Sequence, residues 1–110
     1  MSDYPTEKQL RTIRNWNGTT ALLWQYVKVL WHYPDWGINE SIDRSGTHLL
    51  ELHTAGWSGN EDIIAALEKS KAMFFAHFHT KWERGGHYWF EVPENMWDCV
   101  TNPEVKQVTG

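Results

Sequence analysis

Apolar residues recur at helical spacing near the start of the chain. Leu10 and Ile13 follow Thr6, and the separation between Thr6 and Gln9 is that of a capping box, in which two side chains satisfy backbone groups at a helix start. We therefore predict a first helix that begins after Thr6. It should end at the Asn17-Gly18 pair, because glycine commonly follows the last helical turn.

A second helix is predicted directly after the first. Thr19 or Thr20 can cap its start. Its apolar residues cover much of the circumference, as expected for a helix that is buried on more than one side. The helix should run to about Tyr33, because proline disfavours helical geometry in the residue before it and Pro34 comes next.

The middle of the chain changes from helical spacing to alternation. Residues 33–37 are predicted to form a turn, and the polar residues 38–46 a loop. Residues 47–53 alternate imperfectly between apolar and polar positions, and we predict a strand there. The alternation divides this strand into two faces, which are formed by His48, Leu50 and Leu52 on one side and by Leu49, Glu51 and His53 on the other.

A third helix should follow a turn at residues 55–57. Ser58 has the position of its N-cap, and Glu61 completes the spacing of a second capping box. Ile63 and its apolar neighbours supply a buried face, and the helix should end near Ser70.

Two strand-like segments close the pattern. The aromatic-rich residues 73–79 fit either a helix or a strand, and we favour the strand because a turn at 83–86 and a second strand at 87–92 follow. Pro93 ends the last strand. We find no internal repeat and no domain linker.

Together these elements predict a single α+β domain over residues 1–110. Two helices occupy residues 1–46, a β-α-β-β unit occupies residues 47–92, and a tail occupies residues 93–110. The natural two-layer solution is a small antiparallel or mixed three-strand sheet with the helices packed on one face.

Composition and charge narrow the classes of function. The net charge of −4 argues against generic coating of nucleic acids, but it leaves a small nucleotide ligand open. The single cysteine, Cys99, suits a reducing compartment. No signal peptide and no apolar run long enough to cross a membrane are visible, so we expect a cytoplasmic protein. The 8 tryptophans supply bulky residues for a small core, which is the interpretation we favour for any one of them, and a binding surface or a homodimer is the alternative.

Two polar turns are candidate ligand sites. The first contains Trp57, Ser58 and Asn60, where Trp57 would stack on a base and Asn60 would bind its polar edge. Capping alone also explains this turn, and Glu61 and Asp62 oppose a phosphate there. The second turn places an Arg beside two glycines and an imidazole, where the Arg would pair with a phosphate. The separate turn at residues 33–37 offers an aromatic lid in which Trp36 would stack on a base in place of Trp57, although turn chemistry alone also explains that segment. The residues of the second turn are Arg84, Gly85, Gly86 and His87, for which a plain hairpin turn is the alternative.

Histidines offer two further interpretations. His77 and His79 on one strand, joined by His53, have a spacing that permits zinc, but no cysteine or carboxylate supports it, and we assign neither metal nor cofactor. Glu51, His53 and His87 are the residue types of an acid–base set and converge if their strands pair. We favour binding over catalysis and assign no catalytic residue.

Three segments together resemble small proteins encoded by bacteriophages and prophages. They are residues 33–37 (YPDWG), 50–61 (LELHTAGWSGNE) and 84–90 (RGGHYWF). The resemblance covers about residues 20–92 and departs at Ala55, where a second glycine is expected. It implies expression in a bacterial host cytoplasm during infection.

The resemblance suggests antagonism of a host defence system, by analogy with other small phage proteins. We expect a protein that sequesters a nucleotide-like signal. An inhibitor that binds a host defence effector or nuclease is the alternative, and a small hydrolase that uses Glu51, His53 and His87 is a further one.

Overall fold

The computed structural model describes residues 4–103, and residues 104–110 of the predicted tail lie outside the described part. The chain contains α1 (Glu7–Arg14), α2 (Thr20–Leu30), α3 (Pro34–Gly37), β1 (Ile38–Ile42), β2 (His48–His53), α4 (Ser58–Glu68), α5 (Phe74–Phe78), β3 (His79–Glu83), β4 (His87–Val92) and α6 (Glu94–Trp97). The α+β class is as predicted. None of the helices within residues 4–103 has the length and apolar character to span a membrane.

The sheet has four antiparallel strands in the order β1-β2-β4-β3, not the three strands expected. β2 and β4 lie at the centre, and their register pairs Leu50 with Phe90 and His53 with His87. Residues directly opposite each other in an antiparallel pair point to the same side of the sheet. The Leu50–Phe90 pair therefore marks one face and the His53–His87 pair marks the other.

One face of the sheet is buried and the other is open. Leu50, Leu52, Phe90 and Val92 are at most 1% exposed and join one core with residues of α1, α2, α4 and α5. The predicted division of β2 into two faces is therefore confirmed. Among residues 4–103, no helix of the core covers the opposite face, so polar side chains on that face are available to solvent.

The two halves of the sheet repeat one pattern. β1 pairs Ile42 with His48, and β3 pairs Trp82 with Tyr88, which is a shift of 40 positions in both strands. Each hairpin follows a long helix and a one-turn helix. The central β2–β4 pairing then relates the hairpins by an approximate two-fold axis, with their turns at opposite ends of the sheet.

Backbone conformation supports the same repeat. Tyr33 and Met73 precede the one-turn helices and both have positive φ angles, of 60° and 57°. Gly46 and Gly86, also 40 positions apart, have positive φ in the two hairpin turns. The structure therefore contains a repeat that we did not expect. It was not visible in the sequence because few of the related positions carry the same residue type.

Two secondary-structure predictions were wrong. Residues 38–42 form edge strand β1 instead of a loop. The loop was predicted because most of these residues are polar and exposed, and the pairing with β2 makes them a strand. Residues 74–78 form helix α5 instead of a strand, and Phe74 and Phe78 enter the core from successive turns. Strand β3 begins only at His79, and its pairing with β4 shifts register between His79 and Lys81.

Helix starts were predicted with mixed success. The Thr6–Gln9 capping box and the Thr19 cap are both present. The capping box at Ser58 is not: Trp57 holds the N-cap position of α4 without a side-chain bond, and Ser58 is the first helical residue. Residues 33–37 are a helical turn that begins at Pro34, because proline is well suited to a first helical position.

Ala55 lies in the turn between β2 and α4 and has a strained backbone, because its φ of 57° is costly for any residue with a Cβ. We predict that Ala55→Gly stabilises the protein by about 0.5–1 kcal/mol, the relieved strain less the added entropy of the unfolded chain. Thermal and urea unfolding measure the change. Ala65→Gly, on the exposed face of α4, is the matched control and should destabilise by about 1 kcal/mol. Equal losses in both variants would contradict the prediction.

Candidate functional site

The open face carries a contact between two histidines where β2 ends and β4 begins. Their Nδ1 atoms lie 2.6 Å apart, within hydrogen-bond distance. His53 also donates from Nε2 to the Glu51 carboxylate at 3.2 Å. The sheet thus joins a carboxylate and two imidazoles in one chain of hydrogen bonds, as the acid–base interpretation required.

This chain of hydrogen bonds is partly shielded from water. The His53 side chain is 15% exposed and that of Glu51 is 37% exposed. Asn39 on β1 donates a further, longer bond to Glu51 at 3.4 Å. Nε2 of His87 has no hydrogen-bond partner among residues 4–103, and it therefore remains available to a ligand.

Two indole rings flank the histidines. The Trp36 ring meets His53 edge-on at 6.3 Å between centroids, and Trp89 meets the same imidazole at 5.9 Å. Trp36 is 61% exposed, whereas Trp24, Phe74 and Phe90 are at most 1% exposed. The strand alternation places Trp89 on the same face as His87, which sequence reasoning overlooked as a signal for a site residue.

The β3–β4 turn forms one wall of the site. Thr54 donates its backbone N–H to the Gly86 carbonyl at 2.9 Å, which ties the turn to the end of β2. Gly85 and Gly86 both have positive φ. Arg84 is exposed and has no ion pair within residues 4–103, so its guanidinium is free to meet an anion.

The neighbouring charges on β3 compensate each other. Lys81 lies 2.8 Å from Glu83. This hydrogen bond, with a smaller contribution from nearby His87, holds the pKa of the Glu83 carboxyl below its usual range. Glu83 is therefore ionised but already paired, which leaves Glu51 as the carboxylate that contacts the histidines.

The Trp57 turn is occupied by packing. The Trp57 ring stacks on Tyr4 at 4.8 Å and on His32 at 4.2 Å. A Cβ on Gly59 would lie 2.4 Å from the same ring, so the glycine is explained by this close approach. Ser58 donates to the Tyr4 hydroxyl at 3.3 Å, at the exposed rim of this stack.

Asn60, predicted to bind a ligand, is fully buried. Its side-chain oxygen accepts from the His32 backbone N–H at 2.9 Å, and its amide donates to the His32 carbonyl at 3.0 Å. The side chain thus satisfies the backbone after α2, where the helix leaves groups unpaired. Of the eight predicted ligand residues, those brought together are Trp36, Arg84, Gly85, Gly86 and His87.

The histidines considered for zinc are separated. His77 lies in α5 and His79 in β3, where its ring stacks on Phe75. Within residues 4–103, no group of three or more histidine, cysteine or acidic side chains has the geometry to hold a metal ion.

A groove of about 400 Å³ lies elsewhere, at the other end of β2. It is lined in part by Ile42, His48 and Trp97 and includes none of the predicted site residues. The His48 and Trp97 rings stack there at 3.8 Å. The histidine pair is the more specific feature because its polar atoms converge, whereas the groove is shallow.

The repeat provides an internal comparison for the site. A shift of 40 positions relates His53 to Pro93 and His87 to Thr47, so the opposite end of the sheet has no histidine pair. The hairpin there closes through Asp43, whose carboxylate accepts from Ser45 and Thr47. The same architecture therefore forms without two contacting imidazoles.

Comparison with protein-family models, with curated proteins and with solved structures finds no match to this chain. A function for this chain is therefore inferred from the geometry of the site and not from a relative.

Gly86 tests how the turn is held. An alanine there would place its Cβ 1.9 Å from the Thr54 hydroxyl, in addition to the strain of a φ of +81°. We predict that Gly86→Ala destabilises by about 2–4 kcal/mol, the sum of backbone strain and overpacking. Gly56→Ala is the control, because its φ is +71° and nothing lies within 4 Å of the new Cβ. Urea unfolding should show a loss of only about 1 kcal/mol for the control, and equal losses would exclude the steric contribution.

Proposed function

We propose that this chain is a small binding protein that holds a nucleotide-like ligand at the His53–His87 end of its open sheet face. The observation that carries the proposal is the direct contact of two imidazoles, 2.6 Å apart, on a surface that no helix of the core covers. Two tryptophans beside this pair offer aromatic surface to a base. Stacking on aromatic side chains tolerates any base, since every base has a π-face.

The second half of such a ligand is a phosphate. Arg84 is exposed at the adjacent turn, and a guanidinium presents a fork of donors that matches phosphate oxygens. The imidazoles are a further cationic group when protonated. The proposal thus combines aromatic surface for a base with candidate anion-binding groups for a phosphate, which is what recognition of a nucleotide requires.

The internal repeat argues for a role outside folding. At the opposite end of the sheet, Thr47 and Pro93 take the positions of the two histidines, and the strands pair there as well. Two imidazoles in contact repel each other when both are charged, so stability alone does not favour them.

The resemblance to phage and prophage proteins supports a biological setting for this binding. We place the protein in a bacterial host cytoplasm, where it would sequester a nucleotide-like signal of a defence system. A defence protein as the partner instead would be revealed by stoichiometric capture without any small-molecule ligand.

Ligand binding can be measured on the purified chain with a panel of cyclic nucleotides and ADP-ribose derivatives. A ligand at 100 times its Kd should stabilise the fold by about 2.7 kcal/mol, seen as a higher Tm. Arg84→Ala should weaken binding about tenfold or more, because a charge-assisted phosphate contact is lost. Arg44→Ala is the matched control, since Arg44 has the related position in the opposite hairpin. A panel without any Tm shift, or equal effects of both variants, would count against the proposal.

Acid–base catalysis is the second candidate, and one observation favours it. Glu51, His53 and His87 form a continuous chain of hydrogen bonds, in which a carboxylate orients one imidazole against the other. A general base needs such orientation, and histidine has a suitable affinity for protons near neutral pH.

Turnover distinguishes the second candidate from simple binding. If the same panel is consumed, Glu51→Gln should lower kcat by 10-fold or more, as loss of acid–base assistance commonly does. Glu91→Gln is the control, because Glu91 has the related position on the same face but lies away from the histidines. Intact ligand after long incubation, recovered by mass spectrometry, would exclude catalysis and leave binding.

A further inference from the structure

We infer that Glu51, His53 and His87 act as a proton relay with a fixed direction, which takes up one proton at His87 Nε2 when an anionic group binds. The anion in this inference rests on the proposed function, whereas the direction of the relay rests on the hydrogen bonds alone. The contacts that carry it are the 3.2 Å bond from His53 to Glu51 and the 2.6 Å contact between the two Nδ1 atoms.

The carboxylate sets the direction. An ionised carboxylate only accepts hydrogen bonds, so His53 must carry a proton on Nε2. Neutral His53 then has a lone pair on Nδ1, and the contacting Nδ1 of His87 must be the donor. His87 is thereby held with its proton on Nδ1 and a lone pair on Nε2.

The arrangement accepts one added proton and no more. A proton that arrives at His87 Nε2 makes that imidazole cationic, and the shared proton can then move from His87 Nδ1 to His53 Nδ1. The positive charge comes to lie beside the Glu51 carboxylate, and Nε2 of His87 remains an N–H donor. A second added proton would place hydrogens on both Nδ1 atoms, which are too close to accommodate them.

The surrounding charges bear on this uptake. Glu51 on β2 favours the cationic pair by direct contact, and Arg84 in the adjacent turn opposes it. Glu83, opposite His87 in the register of β3, is paired with Lys81. On the one-turn helix α3, the acidic residue Asp35 directly precedes Trp36 in the sequence.

This direction limits which ligands bind. The unprotonated Nε2 of His87 offers a lone pair, which repels the oxygens of a phosphate or sulfate. After proton uptake the same atom donates a charge-assisted hydrogen bond toward the anion. Binding of a tetrahedral oxyanion should therefore bring one proton with it, and affinity should fall about tenfold per pH unit once the pair has lost its added proton.

Nuclear magnetic resonance tests the relay without any ligand. Long-range proton–nitrogen spectra of the ¹⁵N-labelled chain should be recorded at a pH high enough for both imidazoles to be neutral. They should show His53 protonated at Nε2 and His87 protonated at Nδ1. The second assignment is discriminating, because free histidine prefers a proton on Nε2. Glu51→Gln should abolish the preference, since an amide can donate as well as accept, while Glu91→Gln should preserve it. His87 protonated at Nε2 in the unaltered protein would overturn the relay.

Calorimetry with sulfate tests the coupling to an anion, because sulfate does not itself titrate between pH 5 and pH 8. Titrations in buffers of different ionisation enthalpy should show uptake of about one proton per sulfate, and about none in Glu51→Gln. Binding of sulfate or of a nucleotide without proton uptake would overturn the coupling and leave the proposed function standing. Absence of binding by both, with the expected histidine protonation, would overturn the coupling and the proposed function while the relay itself stands.

Discussion

The pairing of β2 with β4 is the constraint on which the rest of the structure depends. It joins two hairpins that are otherwise separated along the chain, and its register places Leu50 against Phe90 in the core. The same register places His53 against His87 on the opposite face. A shift of one residue would exchange the faces and bury the imidazoles, so the hydrophobic core and the histidine contact are determined together.

The elements with strong apolar patterns were predictable from sequence, and those without them were not. β2 and β4 carry apolar residues at every second position on their buried face, whereas the edge strand β1 has exposed polar residues and is stabilised mainly by its pairing with β2. The segment of helix α5 was predicted to be a strand because the spacing of Phe74 and Phe78 fits a short strand as well as one helical turn. The repeat escaped notice because matched residues such as Arg44 and Arg84 are few, and register and backbone angles reveal it.

The site was predictable where residue chemistry and strand alternation coincide. His87 and Arg84 were identified from the turn, and Glu51 and His53 from the type of side chain. Contacts between strands decided the rest: Asn60 looked like a ligand residue but bonds the backbone after α2, and only the fold shows this. A buried amide with both functions satisfied is a structural element, since its loss would leave backbone groups unpaired in the core.

A repeated architecture separates what the fold requires from what a site requires. Where two related positions differ, the fold tolerates both residues, so neither is needed for the common geometry. Thr47 and Pro93 show that the ends of the central strands need no imidazole, and yet His53 and His87 contact each other at the other end. Two Nδ1 atoms 2.6 Å apart cannot both carry a hydrogen, and a carboxylate on the same face accepts a hydrogen bond from the other nitrogen of His53. A structural role makes no use of that arrangement, whereas a site that must present one defined donor or acceptor depends on it.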